Sequence, residues 1–392
     1  MNRSRRTRIG WALSVSAAVG ALALVVGVVA PAQGIAPSHQ GDGNHGRGHH
    51  SQRLDHVFVI MEENHAQDHV IGDTTSMPFT NMLASTYGQA TNYYGVTHTS
   101  EPNYIAATSG SNWDVNNDNG WYPTATNAAV NHYDHTNIVD ELTAAHVSWA
   151  AYMDAMPSAG YLPDSWPATG GALYASKHNP FIMYNDVRDN PARTAQIKPY
   201  TDLARDLNSR RAPQFVWISP DQCNDMHGGV YSPIAGRPET PCPYSDTAGD
   251  AADESLKVKA DQFLKTAVDT IMHSRAWTGN SVILVTADET DYDGSNPSDN
   301  FYLSTAGCCD SPVLPAGDPA VSATWPGGVY GGGLVPMIVI SRHGPHHATD
   351  ATAYNHYSML LTIEQGLGLG KLGVTSDNQQ VKPMWSLIAG RH

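Results

Sequence analysis

The segment DHVFVIMEENHAQDHVIG, residues 55–72, limits the fold more than any other stretch of this chain. Val57 to Met61 is continuously apolar, the pattern of a strand covered on both faces by helices rather than one wetted on one side. It runs straight into Glu62, Glu63 and Asn64. Open α/β sheets collect their chemistry beyond the carboxyl ends of such strands. These residues are therefore expected at an acidic site that suits hard metal chemistry.

The rest of the chain repeats the alternation. Helices are predicted over residues 78–87, from Pro102 to Ser109, and over 137–146, 200–209, 253–275 and 357–367. Strands are predicted over 90–96, 147–153, 214–219 (QFVWIS), 281–286 (SVILVT) and 335–340 (VPMIVI). In the longest helix Leu256, Ala260, Phe263, Leu264, Ala267 and Ile271 recur at helical period. The fold class is α/β, with a mostly parallel central sheet sandwiched between helices. Two more strands end in oxygen-bearing residues, at Ser219-Pro220-Asp221 and Ala287-Asp288-Glu289. A single acidic strand end is usually solvated loop, but three on one sheet edge favour a site. Carboxylate and amide oxygens without paired thiolates suit one divalent ion of the Ca²⁺, Mg²⁺ or Mn²⁺ class.

Composition narrows the partners and the compartment. The chain has 22 Lys and Arg against 37 Asp and Glu, a net charge of −15. Binding nucleic acid by phosphate neutralisation is not expected of so acidic a chain. Arg3, Arg5, Arg6 and Arg8 precede an apolar run from Ile9 to Ala30 that closes in Ala30-Pro31-Ala32, so residues 1–32 read as a cleaved export signal with a weak twin-arginine look. The same run is long enough for an uncleaved membrane anchor. Residues 33–52, rich in Gly and His, read as a flexible linker whose solvated histidines have no fixed metal-ligand spacing. Residues 53–392 then form one catalytic domain, without internal repeat, expected to be a secreted monomer with at most transient membrane-surface contact. Four cysteines in an exported chain imply disulfides. Cys223 with Cys242 and a vicinal Cys308-Cys309 pair is the preferred pairing, with crossed pairing between the two loops left open.

VTHTSEPNYIAATSG, residues 96–110, places Ser100 at or beside a helix start, because Pro102 fits the first turn. A serine there is ordinarily a cap. Beside a metal, and at a helix N-terminus whose free amides face any anion, it also suits a nucleophile.

FVIMEENHAQDHVIG, THTSEPNYIAATSG, YASKHNPF, CNDMHGG, TADETDYDG and NHYSMLLTIEQGLGL occur in the order of the motifs of the phosphoesterase family, which this chain resembles from Asp55 to about Leu372. That family groups secreted acid phosphatases, including mycobacterial ones, with bacterial phospholipases C, on the alkaline phosphatase fold. The resemblance implies that Glu63, Asn64, Asp288 and Glu289 hold a metal together with Ser100, which becomes the nucleophile. Glu62 is left beside them without direct contact. It also places His178 and His227 as catalytic residues in the phosphate pocket, with Lys177 and Asn103 contacting substrate. Without the resemblance the two histidines read equally as core or loop residues.

Two departures from the wider pattern refine the expectation. Glu289 stands where related enzymes often carry a histidine for a second metal, which implies one metal rather than two. Tyr104 follows Asn103 where the phospholipase C branch tends to carry Arg, which implies a phosphatase acting on small-molecule or lipid phosphate esters through a phosphoserine. A phospholipase C type phosphodiesterase is the alternative. The Gly- and Pro-rich insertion between Asp293 and Gly333 is expected to shape substrate access.

Overall fold

The computed structural model describes residues 52–389 apart from 121–132, 169–170, 246, 292–303, 319–320, 322 and 377–378. The expected export signal and nearly all of the expected linker thus lie outside the described residues. So does part of the insertion. Among the described residues no helix is long and apolar enough to cross a membrane.

The principal elements in chain order are β1 (His56–Glu62), α1 (Pro78–Thr86), β2 (Gly88–Ala90), α2 (Ser100–Ser109), α3 (Ile138–Ala144), β3 (Trp149–Met153), β4 (Ile197–Pro199), β5 (Phe215–Ser219), α4 (Ala251–Met272), β6 (Ser281–Ala287), β7 (Met337–Ser341), β8 (Ala348–Asp350) and α5 (His356–Leu367). One sheet takes the order β8-β2-β7-β6-β1-β5-β3-β4. Every neighbouring pair is parallel except those of β7, which runs against both β2 and β6. β1 lies at the centre between β6 and β5, so the three acidic strand ends open on one edge.

Alternation along β1 explains its unbroken apolar run. Val57, Val59 and Met61 join the core beneath α2 and α5, whereas Phe58 and Ile60 join the core beneath α4. All five are fully buried, each contributing roughly 1.5–3 kcal/mol where a side chain leaves water completely. Phe263, Leu264, Ala267 and Ile271 of α4 fill the second core as their period requires. Asp250 caps α4 by accepting from the amides of Ala252 and Asp253.

The strand expected over 90–96 is broken. β2 leaves the sheet after Ala90, and Tyr93–Tyr94 pairs instead with Tyr354–Asn355, just ahead of α5. This change of partner carries the chain away from the main sheet and over its edge, where Ser100 begins α2. Gly95 is required there: a Cβ would lie 2.6 Å from the carbonyl oxygen of Asp288 and 2.9 Å from Cα of Gly332.

Both disulfides have the preferred pairing, Cys223 with Cys242 and Cys308 with Cys309.

Glu364 of α5 has a separate consequence for stability. Its carboxyl accepts from the Leu372 amide at 2.9 Å and the Thr375 hydroxyl at 2.7 Å, but burial pushes its pKa up to about 7. The folded chain therefore holds this proton more tightly than the unfolded one. Its contribution is most favourable below the ordinary value of 4.5 and declines as pH rises through 7. Glu364→Gln is expected to flatten that part of the decline in melting temperature between about pH 5 and 7. A difference between variant and wild type that stays constant across thermal scans from pH 4 to 8 contradicts it.

Candidate active site

Glu63, Asn64, Ser100, Asp288 and Glu289 meet at the carboxyl edge of β1 and β6. Ser100 is the first residue of α2, buried, and its Oγ donates to Glu63 Oε2 at 2.8 Å and to Glu289 Oε1 at 3.3 Å. The Asn64 amide donates to Asp288 Oδ1 at 3.0 Å, and the Asn64 side chain reaches Glu289 Oε1 at 3.4 Å. Glu62, by strand alternation, belongs to the α4 face. Burial, with the charges of Asp261 and Asp225, raises its pKa well above the ordinary carboxylate value.

Positive charge comes from one side. His178 Nε2 lies 3.1 Å from Glu63 Oε1 and its Nδ1 lies 3.3 Å from Asp225 Oδ2. Burial pulls this imidazole's pKa down, but Glu63 and the hydrogen bonds to both carboxylates outweigh it and raise the value to about 9. In return, burial pushes Glu63 up while His178, Lys177 and His227 bring it down to about 2. Lys177 Nζ pairs with Asp118 Oδ2 at 3.0 Å and approaches His227 Nε2 at 3.3 Å.

His227 differs from His178 in protonation. Its Nδ1 lies 3.1 Å from the carbonyl oxygen of Gly228, which can only accept, so Nδ1 carries the proton and Nε2 offers its lone pair to Lys177. Burial and the Lys177 charge lower its pKa to about 4. Both histidines were expected in the phosphate pocket, and they differ in the partners that flank them, carboxylates for His178 and Lys177 for His227.

Asn103 is also placed differently from its expected substrate contact. Its Oδ1 accepts from the amides of Val96 and Thr97, and its Nδ2 donates to the carbonyls of Thr97 and Thr99. With those four bonds it holds the turn that carries Ser100. Asp221, counted at the third strand end, is turned away to Arg237 at 2.6 Å. The carboxylate that enters from that loop is Asp225.

Two groups of side chains are chemically fit for a metal. Glu63, His178 and His227 each bring one ligand atom within 4.8 Å of the others and could hold an ion. A protonated His178, however, has no lone pair to give. The carboxylate and amide group fits a hard cation better. Asn64 Oδ1 and Asp288 Oδ2 are buried and have no hydrogen-bond partner among the described residues. Burial, together with neighbouring carboxylates, raises the pKa of Asp288 and Glu289 well above the ordinary carboxylate value. Clustered oxygens of this kind are what a hard divalent ion stabilises.

The Phosphoesterase family model matches residues 73–239 and 249–370. The chain belongs to the phosphoesterase family. The matched spans contain Ser100, Lys177, His178, His227, Asp288 and Glu289 and begin after Glu63 and Asn64. The phosphate-repressible acid phosphatase of Penicillium chrysogenum is 26% identical over 72% of this chain and 52% of its own length. The probable acid phosphatase of Kluyveromyces lactis is 34% identical over 43% and 38%. This chain thus spans about half or less of those relatives. A phosphatidylinositol-3-phosphatase of Mycobacterium tuberculosis is 25% identical over 84% of this chain and 82% of its own. Among solved structures, a protein of the alkaline phosphatase superfamily from Vibrio parahaemolyticus aligns at TM-score 0.49 and 13% identity, covering 85% of this chain and 71% of that one.

Several groups around this phosphoesterase site were not read from sequence. His98 donates from Nε2 to the Ser304 carbonyl at 2.9 Å and faces Glu289 Oε2 with Nδ1. Burial lowers the imidazole's pKa to about 4. His356 donates from Nε2 to the Asp288 carbonyl at 2.6 Å and accepts from the Tyr93 hydroxyl at 3.0 Å, fixing the backbone behind that carboxylate. His65 reaches Asp253 at 2.6 Å and anchors the loop after β1 to α4. His356 and Asp225 lie inside stretches already recognisable as motifs, but their roles needed the third dimension.

Proposed function

We propose that this protein is an exported, metal-dependent phosphomonoesterase of the acid phosphatase type, working through a phosphoserine on Ser100. The observation that carries the reading is the buried Ser100 hydroxyl at a helix start, with Glu63 and Glu289 on one side and Lys177 and His178 supplying positive charge nearby. The names of the fungal and mycobacterial relatives agree with it.

Glu63, Asn64, Asp288 and Glu289 would hold one divalent ion of the Ca²⁺, Mg²⁺ or Mn²⁺ class together with Ser100. Such an ion lowers the pKa of the serine hydroxyl and offsets charge on the phosphoryl group. Glu63 accepts the hydroxyl hydrogen bond and aims the oxygen. Ser100 Oγ forms the new bond to phosphorus as the bond to the leaving oxygen breaks, its hydroxyl proton passing to Glu63. His178, held protonated between two carboxylates, donates to a phosphoryl oxygen or to the departing alkoxide. Water then cleaves the phosphoserine, and inorganic phosphate leaves. The two disulfides support the exported setting, since they persist in oxidising compartments.

A dianionic monoester uses two cationic donors better than a singly charged diester does. Aryl and sugar monoesters are therefore expected to be cleaved at least about tenfold faster in kcat/KM than matching diesters, about 1.4 kcal/mol of barrier. Nitrophenyl phosphate is compared with bis-nitrophenyl phosphate and phosphatidylcholine. Faster cleavage of either diester moves the protein to the phospholipase C reading.

A further inference from the structure

Asp118 drew no attention in the sequence, yet its two oxygens tie together two parts of the site. Oδ1 accepts from the Thr99 hydroxyl at 2.6 Å and from the Glu101 amide at 2.9 Å, the residues on either side of Ser100. Oδ2 accepts from Lys177 Nζ at 3.0 Å. Thr99 occupies the cap position of α2 but makes no side-chain bond to the amides of its own helix. Asp118 supplies that acceptor from outside. A missing cap acceptor ordinarily destabilises a helix start. Here the same carboxylate also restrains the ammonium that approaches His227.

We propose that Asp118 is a positioning residue. Through Thr99 and Glu101 it sets the direction of Ser100, and through Lys177 it keeps a phosphate-binding cation partly neutralised until a phosphoryl oxygen competes for it. The inference rests on the phosphomonoesterase reading. Its two arms are separable by chemistry. In Asp118→Asn the amide oxygen still accepts from Thr99 and Glu101, but the NH₂ group faces the ammonium and cannot accept from it. Asp118→Ala removes both arms.

The experiment measures binding of inorganic phosphate by calorimetry, kcat on nitrophenyl phosphate and melting temperature, all with divalent cation present. Asp118→Asn is expected to bind phosphate at least about threefold more tightly, because Lys177 loses its competitor, and to keep kcat within about tenfold of wild type. Asp118→Ala is expected to bind phosphate as tightly but to lose at least a further tenfold in kcat, a split that a brace affecting only stability would not give. Unchanged or weaker phosphate binding in both variants overturns the proposal, as does equal kcat in the two. If the wild type cleaves no monoester, the phosphomonoesterase reading fails, and the phosphate titration still decides the role of Asp118. A wild type and variants that bind no phosphate overturn the proposal as well.

Discussion

Ser100→Ala is expected to lower turnover of a phosphate monoester by about three orders of magnitude or more, the usual cost of removing an attacking oxygen. The hydroxyl is small, and its bonds run to carboxylates of the site rather than to the backbone of the turn. Its two acceptors are the carboxylates of Glu63 and Glu289. The turn itself is fastened by Asn103 and by Asp118. The variant is therefore expected to fold, with an unchanged circular dichroism spectrum and a melting temperature near that of the wild type. Retention of more than about a tenth of wild-type turnover would sink the nucleophile assignment.

Metal removal is the second large effect. The purified enzyme is expected to hold about one divalent ion per chain, and exhaustive chelation is expected to cost roughly 10²-fold or more in turnover, recovered with a hard cation. Asp288→Ala is expected to lose the ion itself, since it deletes the buried Oδ2, which has no hydrogen-bond partner among the described residues. Elemental analysis reads this independently of activity. Two tightly held metals per chain, or full activity with none left, would contradict the assignment.

Removing metal and removing Ser100 separate two contributions that sequence reasoning placed on the same small set of residues. Those residues were legible because strand ends are local features. A buried strand, an acidic tripeptide and the start of a helix each occupy a few consecutive positions, and parallel order alone puts their carboxyl ends on one edge. What could not be read was which side chains at that edge point inward. Asp221 and Asp225 are four positions apart in one loop, and only the fold turns the first to Arg237 and the second to His178. Asn103 sits in a motif and near the nucleophile, but its amide faces backbone on all four bonds.

Protonation was equally out of reach. His178 and His227 come from two separate segments, yet His178 is held protonated by two carboxylates while His227 is neutral beside a lysine. Charge at such a site is set by neighbours a few ångströms away, and those neighbours come from distant parts of the chain.

By itself, then, the sequence determined the α/β alternation, the central acidic strand and the serine at the helix start, and it left the pairing of the cysteines open between the loops. These rest on periodicity and on contacts between near neighbours. The tertiary structure alone decided the break after β2, the reversed direction of β7, the support of Asp288 by His356 and of Glu289 by His98, and the grip of Asp118 on both flanks of Ser100. Each of those joins residues far apart in the chain through a hydrogen bond, an ion pair or a register that no local pattern encodes, because their energies depend on distance and desolvation in the folded state.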